Sequence, residues 1–317
     1  MRLNSTELGK IFLAPLSGVA DSPFRRICKR FGAETVYSEM VSSEGLSRHN
    51  ARSFEVIRFH EEEHPIGIQI FGTDPARMAE AARIAESTGA DFVDINMACP
   101  ARRIVSKGAG CALMREPRLA ASIAEAVVNA ITLPVTAKLR LGWDEGSINV
   151  VEISRMLEEV GIRGVAVHGR TWKQGFKGEA QWAPIAEVKA AVSIPVILSG
   201  DVREPEDVER AFRETGCDAV MVARGVYGRP WIFNAIRSYL EGKPYEKPRA
   251  EEMVQTITDH LDMAIEFYGE YLAVVRFRKH LLWYTKGMPG VVALRPAMSH
   301  MTRRGDVVAF LERIFKR

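Results

Sequence analysis

Along the chain, short runs that are almost continuously apolar alternate with longer stretches whose apolar residues recur every three or four positions. The short runs are IFLAP (11–15), ETVYSE (34–39), PIGIQIF (65–71), DFVDINM (91–97), PVTAKLR (134–140), RGVAVHG (163–169), PVILSG (195–200) and DAVMVAR (218–224). A strand apolar at successive positions suits a parallel sheet, where helices cover both faces. Between them, DPARMAEAARIAESTG, REPRLAASIAEAVVNA, NVVEISRMLEEVG and REPEDVERAFRETG carry helical spacing. Three of these end in glycine, which suits a helix C-terminus, and Pro75 and Pro117 fit first-turn positions.

Eight β/α units in about 240 residues predict an α/β fold of the (β/α)8 TIM-barrel type. A doubly wound sheet is the second choice. It is disfavoured because APLSGVADSPF, after the first strand, lacks the GxGxxG phosphate loop. The pattern changes at EGKPYEKPRA (241–250), a charged, proline-bearing linker. Only helical runs follow, so the expected organisation is a barrel domain over 1–240 and a small all-helical C-terminal domain over 241–317.

Composition narrows the class without deciding it. The 317 residues are 47% hydrophobic and 26% charged, as in an ordinary soluble protein. No run of 18 apolar residues suggests a membrane span, and the N-terminus reads straight into a strand with no secretory signal, so a cytoplasmic protein is expected. Cys28, Cys99, Cys111 and Cys217 lack CxxC spacing, which argues against a metal site or cluster and fits a reducing compartment. The net charge of +3 is unevenly spread. From Arg276 to Arg317, ten Lys or Arg accompany only Asp306 and Glu312. Such a segment suits a polyanion contact, although on charge alone a solvated helical face is the simpler reading.

Barrel chemistry sits at the C-terminal ends of strands. Polar residues in otherwise apolar strands are therefore candidates: Gln69, Asp94, Asn96, Lys138, Arg140, His168, Arg170, Ser199, Asp201 and Arg224. Their spread over six strands points to an active site. SGD (199–201) and ARG (223–225) end strands seven and eight, where barrels often bind phosphate. Amides around Gly200 and Gly225, with the cation of Arg224, suit a phosphorylated ligand. Lys138 calls for an anionic or polar partner, or else acts as a Schiff-base lysine. His168 reads as an acid or base, a ligand donor, or a satisfied structural histidine. Cys99, in NMACP at a strand-end turn, precedes a loop with Arg102, Arg103, Lys107, two glycines and no acid. Nearby cations make its thiol a ready proton donor, and the loop suits a cover over an anionic substrate. The other three cysteines lie in helical runs and read as packing residues.

The ordered set APLSGVADSPFRRIC, SEMVS, QIFG, DINMACP, KGAG, KLRLGW, HGRTWKQGFKGEAQW, SGD and ARGVYGRPWIF resembles the tRNA-dihydrouridine synthases across nearly the whole chain. The resemblance implies FMN at the barrel mouth, NADPH or NADH as reductant, and tRNA as the substrate whose uridine C5–C6 bond is saturated. By the same resemblance, Gln69, Lys138 and His168 contact the isoalloxazine, Ser199, Gly200, Asp201 and the amides around Arg224 and Gly225 hold the ribityl phosphate, and Pro15 and Ala223 are further cofactor-binding residues. Asn96 contacts the uracil and Cys99 protonates C5 after hydride delivery from flavin N5 to C6. Arg102, Arg103, Lys107 and Arg170 fall on the substrate side, and the basic C-terminal segment becomes a tRNA contact. Ala98 stands where the family commonly has glycine, and Ser199 where it often has asparagine. A monomer suffices for this site. The alternatives are an FMN-dependent reductase of a free pyrimidine or other small molecule, a non-enzymatic RNA-binding protein, and a Schiff-base aldolase using Lys138.

Overall fold

The structure, a computed structural model, describes residues 1–3 and 6–315. Eight parallel strands form the barrel: β1 (Ile11–Leu13), β2 (Val36–Tyr37), β3 (Ile66–Phe71), β4 (Phe92–Asn96), β5 (Val135–Arg140), β6 (Val165–His168), β7 (Val196–Ser199) and β8 (Ala219–Val222). Each pairs with its sequence neighbour from β2 through β8, and β8 returns to pair with β1. Closure between β1 and β2 is made by two backbone bonds, Leu13 N–H to Thr35 O and Glu34 N–H to Ile11 O, each 2.9 Å. A two-residue strand, Val41–Ser42, extends the pairing along β3. The alternation read from the sequence is thus a closed ring.

Helix ends follow the local signals. Asp74 caps Pro75–Ser87 by accepting from Arg77 N at 2.9 Å, and Pro117 opens Pro117–Val128. Gly89, Gly161 and Gly216, the three terminal glycines, have φ of 84°, 99° and 64°, the left-handed region where a side chain is strained.

Strand alternation divides the barrel into two packing surfaces. Outward residues such as Val93, Ile95, Ala137, Leu139 and Val167 pack against the surrounding helices. Inward residues at the lower end are apolar: Phe12, Tyr37, Phe92, Ala166, Ile197 and Ala219 cluster with Leu3 and Leu8 from the N-terminal hairpin. One step higher on the same inward rows stand Gln69, Asp94, Asn96, Thr136, Lys138, Arg140, His168 and Ser199. The barrel interior is therefore an oil-filled base below a polar rim, and the rim positions the site.

Beyond Ile232–Leu240 the chain runs without regular structure to Ala250–Tyr268, Glu270–Tyr284, Val291–Met298 and Arg304–Phe315. These helices bury their own cluster, including Ile257, Leu261, Phe277, Leu281, Phe310 and Leu311. Against the barrel, Phe24 meets His260 and His280 at ring-centroid distances of 5.4 and 5.0 Å, and Tyr227 stacks on Trp283 at 4.2 Å. Among the described residues, no helix is long and apolar enough to cross a membrane.

The basic segment is partly consumed within the fold. Arg276 pairs with Glu55, Arg304 with Asp262, and Arg278 donates to the Met301 carbonyl. Lys316 and Arg317 lie outside the described residues.

Candidate active site

Strand parity and loop closure leave a cavity of about 880 Å³ at the C-terminal mouth of the barrel. Pro15, Gln69, Asn96, Cys99, Arg102, Lys138, His168, Ser199, Gly200, Asp201, Ala223, Arg224 and Gly225 all border it. Three residues expected on the substrate side do not border the cavity. Arg103 and Lys107 are exposed on the turn following Cys99. Arg170 is buried behind the cavity wall, donating to Lys177 O at 3.1 Å, Gly178 O at 2.6 Å and Asp201 Oδ2 at 2.6 Å. It braces the β6 loop against the β7 end.

The cavity floor is a continuous hydrogen-bonded row. Thr136 Oγ1 donates to Asp94 Oδ1 at 2.6 Å, and Gln69 Nε2 donates to Asp94 Oδ2 at 2.7 Å. Asn96 Nδ2 donates to Gln69 Oε1 at 2.7 Å. Asn96 Oδ1 then accepts from the backbone N–H groups of Ala98 at 3.1 Å and Cys99 at 2.9 Å. Asn96 thus holds the turn that presents Cys99, which is half-buried on the cavity wall. Cys28, Cys111 and Cys217 are buried, burial pushes the Cys111 thiol up to about 12, and of the four cysteines only Cys99 borders the cavity.

Burial dominates the electrostatics of the floor. It raises the Asp94 carboxyl to about 6, against the pull of Thr136, Gln69 and Lys138. Lys138 is lowered to about 8 by burial and by Arg140, with Asp94 opposing. His168 is held well below its ordinary value by burial and by the surrounding Lys138, Arg140, Arg170 and Arg224. At neutral pH the imidazole is therefore neutral, and one of its nitrogens can donate while the other accepts.

The opposite end of the cavity suits a phosphate. Gly200 has φ 113°, and a Cβ added there would stand 2.9 Å from Ala180 Cβ and 3.0 Å from His168 Cδ2. A Cβ on Gly225 would stand 2.8 Å from the Val202 carbonyl oxygen. Only glycine lets these loops close so tightly around the space. The 3-10 turn Arg224–Val226 starts here, and its leading N–H groups have no partner within the turn. Asp201 takes a left-handed φ of 56° and gathers three cations: Arg170 at 2.6 Å, Arg203 at 3.0 Å and Arg224 at 3.2 Å. Its carboxylate orients arginines and is itself turned away from the role of anion ligand. A phosphate at the glycine cradle and a polar ring edge at Gln69, Lys138 and His168 match the donor set FMN requires.

Sequence reasoning attached no role to several groups that shape the mouth. Arg140 is buried and donates to Ala98 O at 2.8 Å, Thr171 O at 2.9 Å and Gly175 O at 2.8 Å, joining the Cys99 turn to the β6 loop. Trp172 Nε1 donates to Pro100 O at 3.2 Å across the same gap. Phe176 is 57% exposed, with the guanidinium carbons of Arg140 and Arg224 at 5.5 and 5.6 Å from its ring. An exposed phenylalanine between two cations offers a flat apolar edge at the entrance. The two aromatics among glycines and lysines in TWKQGFKG were the available signal.

The family described as Dihydrouridine synthase (Dus) matches residues 12–317. The tRNA-dihydrouridine synthase B of Pseudomonas aeruginosa is 42% identical over 294 residues, covering 92% of this chain and 88% of that protein. A probable tRNA-dihydrouridine synthase of Rickettsia prowazekii is 39% identical over 317 residues, covering 99% and 96%. Among solved structures, the old yellow enzyme homologue from Zymomonas mobilis shares the fold at TM-score 0.54 and 16% identity, over 80% of this chain and 94% of that one.

Proposed function

Because the chain belongs to the dihydrouridine synthase family, we propose that it reduces the C5–C6 bond of uridines in tRNA to 5,6-dihydrouridine, using FMN and NADPH or NADH. The observation that carries this reading is the shared cavity of Cys99, the Lys138–His168 floor and the glycine cradle at Gly200 and Gly225. FMN, when bound, supplies the hydride for uracil C6. Gln69, Lys138 and His168 hold its ring, and Ser199, Gly200, Ala223, Arg224 and Gly225 hold its phosphate, with Asp201 keeping Arg224 in place. Cys99 gives its Sγ proton to C5 as charge builds there. The target uracil leaves its stack to enter the cavity past Phe176 and Arg102. Arg103, Lys107 and the cations of the C-terminal helices meet tRNA phosphates, so that residues 241–317 serve as a tRNA-binding unit beside a catalytic unit over 1–240. The protein acts as a monomer in the cytoplasm.

The test is nucleoside mass spectrometry of unmodified tRNA incubated with purified protein, FMN and NADPH, in parallel with Cys99→Ala. A gain of about 2 Da on uridine, largely lost in the variant, is the expected result. A bound, reducible flavin with no gain on any tRNA would instead favour a reductase of a free pyrimidine.

A further inference from the structure

The row of hydrogen bonds beneath the cavity has a direction, and one residue sets it. Backbone N–H groups can only donate, so the atom of Asn96 facing Ala98 and Cys99 must be Oδ1. An ionised carboxylate can only accept, so the atom of Gln69 facing Asp94 must be Nε2. The two requirements come from opposite ends and meet in the middle as Asn96 Nδ2 donating to Gln69 Oε1 at 2.7 Å. Both amides are thereby fixed in one orientation. If Asp94 could donate, Gln69 would be free to turn over and Asn96 would be drawn to present its oxygen to Gln69, leaving two N–H groups of the Cys99 turn facing an NH2.

Asp94 is completely buried, and the proposed chemistry gives it no task. Thr136 Oγ1 occupies its other oxygen, so the carboxylate is fully engaged in ordering its neighbours. We propose that Asp94 is a positioning residue: through the polarity it imposes on Gln69 and Asn96 it holds the turn that presents Cys99 to the substrate. The inference rests on the dihydrouridine synthase reading for the meaning of Cys99, while the geometry of the row does not.

The test is alkylation of Cys99 by iodoacetamide in the full-length purified protein, followed by peptide mass spectrometry. Cys28, Cys111 and Cys217 are buried, so Cys99 is the site that labels, and Cys99→Ser gives the background. Asp94→Asn retains the shape but supplies an NH2, and Cys99 is expected to label up to about tenfold faster, the worth of one lost hydrogen bond. Adding Gln69→Glu returns a pure acceptor to the centre of the row. Its two oxygens can accept from Asn96 Nδ2 and from the new amide at position 94, and the labelling rate is expected to return to within about twofold of wild type. Thr136→Val is carried in both variants, because a threonine hydroxyl can also accept and would otherwise take the new NH2 away from Gln69.

An unchanged or slower rate in Asp94→Asn, or a fast rate that Gln69→Glu does not correct, overturns the proposal. If Asp94→Asn alone does not fold, the double variant decides: a folded protein labelling at the wild-type rate supports it, and failure of both to fold overturns it. Dihydrouridine formation is measured on the same proteins. A wild type that labels as expected but reduces no tRNA refutes the functional reading and leaves the positioning result standing.

Discussion

The fully buried guanidinium of Arg170 donates to the carboxylate of Asp201 at 2.6 Å, and the same carboxylate holds Arg224 at the cavity rim at 3.2 Å. One acid thus serves a structural cation behind the wall and a ligand-facing cation in front of it. Asp201→Ala leaves Arg170 buried without its carboxylate, held by the Lys177 and Gly178 carbonyls and His168 Nε2 at 3.4 Å, and should cost about 3 kcal/mol of stability. It also frees Arg224, so FMN affinity should fall by roughly tenfold. Urea denaturation and fluorescence titration with FMN check the two effects. A variant with wild-type values in both would refute the bridging role.

Steric closure at the phosphate end makes a second prediction. Gly225→Ala places a methyl group 2.8 Å from the Val202 carbonyl oxygen, where neither backbone can yield cheaply. Overpacking of this kind costs about 1–3 kcal/mol. The shift of the loop should also release FMN during gel filtration while the barrel remains folded by circular dichroism.

Lys138 predicts a pH dependence for cofactor binding. In the free protein its ammonium is lowered to about 8, chiefly by burial, so the cation proposed to hold the flavin ring is lost as pH rises past that value. FMN affinity should hold between pH 7 and 8 and then weaken by up to about tenfold per unit. Lys138→Met should bind weakly at pH 7 and show a flat profile from pH 7 to 9. An identical slope in both proteins would assign the titration to another group.

Three histidines that refuse protons predict how stability responds to acid. His260 is lowered to about 3, and His168 and His280 lie well below their ordinary value, each because of burial first. As pH falls through about 6.5, the unfolded chain takes up protons that the folded chain does not, so stability declines, by about 1.4 kcal/mol per unit for each histidine. Asp21 and Asp94, both raised to about 6, act in the opposite sense between their folded and unfolded values. The two carboxyls offset about two of the three histidines, so the net loss between about pH 6.5 and 5.5 should be about 1.4 kcal/mol per unit. Urea midpoints across that range should show this slope, and His280→Asn should remove about one histidine's share and leave stability nearly flat.

The barrel was legible because each strand announces itself as a short apolar run and each helix carries its own caps, as at Asp74 and Gly216. Most of the site was legible because a polar residue in a buried strand has few other reasons to be there. Gln69, Asp94, Asn96, Lys138 and His168 all have the inward parity that the alternation of β3 to β6 dictates. Parity fails where strands end. Arg170 stands two residues past His168, yet its N–H folds back to the His168 carbonyl at 2.7 Å and its side chain turns behind the wall. Loop residues were the least readable: Phe176 and Trp172 owe their positions to contacts with Arg140, Arg224 and Pro100, which are remote in sequence. The partner of the buried Arg170 was equally invisible, since Asp201 serves it, together with the exposed Arg203 and Arg224, only after the loops have met.

The stack of Tyr227 on Trp283 ties the loop of the last barrel strand to the second long helix of the C-terminal part. Tyr227 also lines the cavity, two residues beyond Gly225. The helical part is consequently a wall of the pocket's own foundation as well as an appendage beside it. A chain cut after residue 240 would strip one face from Tyr227 and loosen the neighbouring glycine cradle. Any trimming of this enzyme for engineering, or any evolutionary exchange of its C-terminal helices, would have to rebuild that aromatic seam before the pocket could grip its ligand again.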